Sequence, residues 1–319
     1  MDSETHYVIT LIQQGSYRSA LAAYAEHPAP STTLSLYAAR AHLALTPPAT
    51  DAALQLLSTL PQTLDTRAVT SLAQYLAGEG EQAVGDLEEL LAELGEQGLE
   101  EGDDVEGRMV RGVVGTVWIL EGEDRREEGV EILREAVELG KDQEWWVASD
   151  LARLGLLSHL YISLNLPHLS TQLLTSADTT AFTSDSLLSQ LLIARSNLAT
   201  GPTDKYQNAY YTFEEIKGMQ GGRGEGVLAG VSVAQALQGR WEEARDATNE
   251  ALEMNPSHPT SLANAAALAA HTGKPDSAAV EHLRALGAAD PSHPLLADLA
   301  AKSSFFDEAA SRFSPSVVA

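Results

Sequence analysis

The chain has 319 residues, 44% of them hydrophobic and 20% charged, a balance that suits a folded protein and argues against wholesale disorder. Twenty basic against 45 acidic residues leave a formal charge of -25, which repels phosphate backbones and anionic lipid headgroups, so neither nucleic-acid binding nor direct membrane insertion is expected. With no cysteine, disulfides, thiolate metal sites and cysteine nucleophiles are excluded. The start, Met1-Asp2-Ser3-Glu4, is acidic where a targeting signal needs base, and no apolar run approaches the ~18 residues that span a bilayer. A chain on the cytosolic side is expected.

Taken in order, the chain reads as repeated helix pairs. Residues 13–26, QQGSYRSALAAYAE, place Gly15 in a turn before a helix carrying Ala20 and Tyr24. Residues 33–60 read as a second pair broken at Pro47-Pro48, with Asp51 the expected N-cap of its second helix. A third pair turns at Gly78 and continues through Ala83, Leu87 and Leu90, whose spacing with Leu91 is the i, i+3, i+4 pattern of a helix. A fourth has Gly115 at a small-residue position, Gly122 in the turn, and Gly129 and Ala136 beyond it. Ser158, Asn165, Ser170 and Leu174 mark a fifth, and Ala194, Gly201, Tyr206, Ala209 and Phe213 a sixth.

The seventh pair is the clearest. Residues 225–256, EGVLAGVSVAQALQGRWEEARDATNEALEMNP, lie directly on the tetratricopeptide pattern of ~34 residues. Leu228, Val231 and Ser232 take the bulky, bulky and small positions of the first helix. Gly239 closes the turn, Trp241 opens the second helix, and Pro256 stops it. An eighth unit contains Ala266, Gly273 and Ala278, and the junctions NPSHP at 255 and DPSHP at 290 fix the phase independently. No period-two segment requires a strand. The fold expected is all-α, a right-handed α-solenoid of about eight tetratricopeptide-like pairs forming one domain over residues 1–319, with N-terminal repeats to about 180 and a distinct C-terminal group from about 181.

Each candidate site yields to a plainer reading. The acidic segment 99–108, LEEGDDVEGR, lacks the ligand order and distal glutamate of a calcium loop and reads as a solvated inter-repeat loop. The glycine-rich stretch 218–226 lacks the Lys-Ser/Thr pair of a P-loop and reads as a flexible connector. The nine histidines form no metal motif; His258 and His293 fall in the repeated junctions, where a turn role is expected. Glu214-Glu215 and Glu242-Glu243 read as solvated helix faces, and Trp145-Trp146 as packing between repeats. No cofactor, metal or catalytic constellation is expected.

A solenoid without catalytic groups holds other proteins. The inner positions of the tetratricopeptide pattern project onto Leu72, Tyr75 and Leu76 in the third unit and Met109, Thr116, Ile119 and Leu120 in the fourth. In the seventh they fall on Ala229, Val233, Ala236 and Leu237. A co-chaperone or adaptor clamping an acidic tail would need Lys, Arg and Asn there, and only Arg195 qualifies on the better-aligned first helices. The seven residues of the third and fourth units are therefore the candidate partner-binding surface, an apolar seat if exposed and core if not.

The later repeats carry a family resemblance. Gly239-Arg240-Trp241-Glu242-Glu243-Ala244, the following NPSHPTSLANAAALAAHTGKP, AYYTFEEI at 209, the Ser292-His293-Pro294 turn and FFDEAASRFSP at 305 resemble, in order, the epsilon subunit of coatomer. The specific likeness runs from about 205 to 316. Ala265-Ala266-Ala267 departs from it, where the family carries bulkier aliphatics. The resemblance implies a non-catalytic subunit of the COPI coat, peripheral on Golgi and vesicle membranes and acting in Golgi-to-ER transport. Its implied partners are the C-terminal domain of the alpha subunit and the rest of the complex.

Overall fold

A computed structural model describes residues 3–96, 105–138, 148–176, 186–272 and 276–313. All regular structure among them is helical. Eight pairs follow one another: α1 (Ser3–Gln13) with α2 (Tyr17–Glu26), α3 (Thr32–Leu43) with α4 (Thr50–Ser58), α5 (Leu64–Ala77) with α6 (Gly80–Glu96), and α7 (Val105–Glu121) with α8 (Glu123–Glu138). Next come α9 (Ala148–Ser163) with α10 (Pro167–Thr175), α11 (Leu187–Thr200) with α12 (Thr203–Gly218), α13 (Glu225–Leu237) with α14 (Trp241–Met254), and α15 (Pro259–His271) with α16 (Asp276–Ala289). A final helix, α17 (Pro294–Ser311), buries none of its residues.

The turns within pairs fall at the glycines that the repeat pattern marks. Gly15, Gly78, Gly122, Gly201 and Gly239 all have positive φ, and Asn165 at 59° serves the same role in the fifth pair. Inside the pairs, small residues let the helices approach. A Cβ on Gly115 would lie 2.6 Å from Leu133 Cγ and 3.0 Å from the Gly129 carbonyl oxygen. In the fifth pair Ser158 and Ser170 are joined at 2.8 Å by their hydroxyls, and in the seventh Ser232 and Thr248 at 2.6 Å.

Every first helix packs on the first helix of the next pair, from α1 through to α15. These helices form a continuous inner layer, with the second helices outside. The largest core cluster runs through the second to fourth pairs, from Leu36 to Trp118. Trp118 is fully buried, and the Arg125 guanidinium lies 3.9 Å from its ring centroid while pairing with Glu88 at 2.9 Å and Glu128 at 3.3 Å.

Curvature brings the array back on itself. Helix α1 touches α11, and the Ser16 hydroxyl donates to the Gly221 carbonyl at 3.4 Å. Arg18 donates to Asn255 Oδ1 at 3.4 Å, across 237 positions of sequence. The glycine-rich stretch, a flexible connector by composition, is instead part of this seam. A Cβ on Gly221 would sit 2.5 Å from Leu11, and one on Gly224 would sit 2.3 Å from Ser16 Oγ. Close approach to the first pair accounts for Gly221 and Gly224, whereas Gly222 lies against the Ile216 carbonyl of α12.

One further expectation changes. Asp51 does not cap α4, whose N-cap is Ala49; it lies in the first turn, at the positive end of the helix dipole. Trp241, the first residue of α14, is half-buried and edge-on to His271 at 4.1 Å between ring centroids. The acidic residues 99–104, Trp145-Trp146 and Gly273 lie outside the described residues.

Candidate functional site

The seven projected residues sit on two adjoining inner helices, since α5 packs along α7. Burial divides them. Leu72 and Tyr75 are half-buried against the large core cluster, and Ile119 packs against the next one, around Leu133. Met109 and Thr116 are half-buried, with the Thr116 hydroxyl donating to the Gly112 carbonyl at 2.7 Å. Leu76 and Leu120 are open to solvent, 37% and 52% exposed. In the seventh pair, Leu237 at the same repeat position is 43% exposed, whereas Ala229 is buried.

The two exposed leucines end their helices, and polar groups join those ends. The Tyr75 phenol donates to Glu121, and burial followed by that carboxylate pushes its pKa up to about 12. Beyond Leu76 the chain turns through Gly78 and presents Glu79 and Glu81; with Glu121 these edge an open hollow of about 920 Å³. The repeat pattern singles out the apolar positions and passes over these carboxylates. They are unremarkable in so acidic a chain, and only the fold brings Glu121 beside Glu79.

A second recess, about 270 Å³, lies in the seam where Arg18, Glu225, Asn255, His258 and His293 converge. Its histidines do the turn work expected of them. His258 accepts the Ser261 amide as N-cap of α15, and His293 accepts the Leu295 amide as N-cap of α17. The preceding Asn255 and Asp290 fold the two junctions alike, each accepting from the amide and hydroxyl of the serine two places on. Burial lowers the His258 pKa, with Glu225 opposing and Arg18 adding to the shift.

Among the described residues no His/Cys/Asp/Glu cluster could hold a metal, and no helix is long and apolar enough to cross a membrane. The described surface offers contact area and charge.

A sequence model of the coatomer epsilon subunit family matches residues 156–314, reaching further toward the N-terminus than the stretch from about 205 where single motifs are legible. The crystal structure of the APC/C hetero-tetramer Cut9-Hcn1 is similar over 92% of this chain and 54% of that one, with a TM-score of 0.59 and 14% identity. This chain thus spans about half the length of that neighbour, and the likeness shows the helix-pair solenoid fold alone. PilW, a widely conserved type IV pilus biogenesis factor, is similar over 75% of this chain and 99% of its own, at a TM-score of 0.49 and 15% identity.

Proposed function

Since residues 156–314 place the chain in the coatomer epsilon subunit family, a non-catalytic coat component, we propose that it is a structural subunit of the COPI vesicle coat. In this reading it binds the C-terminal domain of the alpha subunit, joins the rest of coatomer through it, and supports retrograde Golgi-to-ER and intra-Golgi transport. The family match carries the proposal: its bounds reach from within α9 to just past the end of α17.

The physical chemistry agrees. A curved inner layer with apolar ends at Leu76 and Leu120 suits a protein segment, because exposed apolar surface gains most by being covered. We place the partner there, with Leu72, Tyr75, Met109, Thr116 and Ile119 forming the half-buried floor. A chain at -25 has no polybasic means of holding a membrane, so its attachment to the cytosolic face of Golgi and vesicle membranes runs through partners.

The test is recovery of the tagged chain from its own cytosol, followed by mass spectrometry. Coatomer subunits, alpha above all, are expected at near-equal amounts. Recovery with a chaperone and without coat proteins would reject the proposal in favour of a tetratricopeptide adaptor or co-chaperone.

A further inference from the structure

The inner-layer surface at the ends of α5 and α7 carries a chemical preference. Its apolar part is Leu76 and Leu120, each exposed at the last turn of its helix. Every charged residue of its polar part is negative: Glu79 and Glu81 follow Leu76, and Glu121 follows Leu120, around one open hollow that neutral Gln82 also lines.

The backbone adds to that sign. A helix C-terminus carries roughly half a negative charge, and proteins commonly place Lys, Arg or His there. Neither α5 nor α7 has a basic residue in its last turn. Glu121 stands at the negative end of α7, where a carboxylate is repelled, and it meets the proton of the Tyr75 phenol rather than a cation. Elsewhere the chain does pair its acids: Glu88 and Glu128 share Arg125, and Glu93 holds Arg67 at 2.7 Å. The hollow, which lies between the turn into α6 and the end of α7, has no cation among its lining residues.

We infer that this surface takes a partner segment bearing Lys or Arg set beside bulky apolar residues, the cation in the hollow and the apolar groups on Leu76 and Leu120. The inference rests on the reading of α5 and α7 as the partner surface, and it names what the partner must present. A segment with acid in place of base would meet three carboxylates and no cation among the residues that line the hollow. A basic segment without apolar groups would leave both leucines in water.

The test uses the full chain and three labelled 14-residue peptides: leucine with lysine, leucine with glutamate, and serine with lysine, in one spacing. Anisotropy at 50 and 300 mM salt should show binding of the leucine–lysine peptide alone, weakening with salt. Glu79→Gln with Glu121→Gln should weaken it by about three- to tenfold, as for two half-exposed ion pairs. Leu76→Ser with Leu120→Ser should do likewise. Asp246→Asn with Glu253→Gln, a control on the exposed face of α14, should leave it unchanged. Circular dichroism confirms that each variant is folded.

Equal binding of the leucine–glutamate peptide, or equal loss in the α14 control, would overturn the inference. The native chain and its three variants are then offered to the C-terminal domain of the alpha subunit. Binding insensitive to both inner-face variants would overturn the inference and leave the coat assignment standing. Site-dependent peptide binding without any alpha binding would keep the surface chemistry and remove the coat assignment.

Discussion

The fourth and seventh pairs solve one packing problem in opposite ways. In the seventh, the small positions hold Ser232 and Thr248, which meet through hydroxyls at 2.6 Å, and its tryptophan, Trp241, sits half-exposed at the helix start. In the fourth, the small positions are Gly115 and Gly129, the backbones close to near contact, and Trp118 is wholly buried beneath Arg125. The seventh pair is the clearest match to the repeat pattern, yet the fourth holds the largest fully buried side chain among the described residues. Agreement with a repeat pattern reports helix phase. Buried volume decides stability.

Substitution in the two pairs puts that contrast at risk, most of all at the tryptophans. Trp118→Ala should destabilise the chain by about 3–5 kcal/mol, the cost of a large buried cavity, whereas Trp241→Ala should cost well under half of that because its ring already meets solvent. Equal losses in denaturant melts would show that burial does not separate the two pairs. The fourth and seventh also differ in what ties them down, since only the seventh reaches the first pair. A Cβ on Gly224 would lie 3.4 Å from the Ser16 Cβ, close to disulfide spacing, and the chain has no cysteine of its own to interfere. Ser16→Cys with Gly224→Cys should therefore oxidise spontaneously and raise stability by about 2–4 kcal/mol; failure to cross-link in the monomer would mean the array is open in solution.

Gly115→Ala isolates the fourth pair's close approach. Helix propensity favours alanine by about 1 kcal/mol, but the new methyl would press on buried Leu133 and the Gly129 carbonyl, and overpacking of this kind costs about 1–3 kcal/mol. Net destabilisation is expected, and a rise in melting temperature would show that the helices can part freely.

The smallest effect expected is with pH. His42, His159 and His258 all have their pKa lowered, chiefly by burial, so the folded chain favours their neutral forms. Their contribution is complete above the unfolded value of 6.5 and is lost as pH falls through it toward the folded values. For His258 the loss falls on the α15 cap and hence on the seam. Melting temperature should drop between pH 7 and pH 5, with His258→Asn, which keeps a capping oxygen, dropping less.

Helix phase is legible in the sequence because its markers are local. Turn glycines must adopt positive φ, proline stops or starts helices, and the two N/D-P-S-H-P junctions repeat a cap whose parts lie within five residues. The seam is illegible because Arg18 and Asn255 meet only through the accumulated curvature of five intervening pairs, and no single repeat encodes that. The candidate surface falls between. Projection puts Leu76 and Leu120 correctly on inner helices, but it does not tell them from Leu72 and Ile119, which lean one step further into the core. The glycine-rich stretch reads as loose for the same reason that the seam is hidden: its packing partner lies at the other end of the chain.

Whether this solenoid holds the coat's alpha subunit on its inner layer is tested most directly by co-expression with the C-terminal domain of that subunit. Size-exclusion chromatography should give a single complex with the native chain, and separate peaks when Leu76→Asp and Leu120→Asp are introduced together into a chain whose helicity and melting are unchanged. Separate peaks with the native chain would contradict the assignment, and one undisturbed complex with the double variant would contradict the surface.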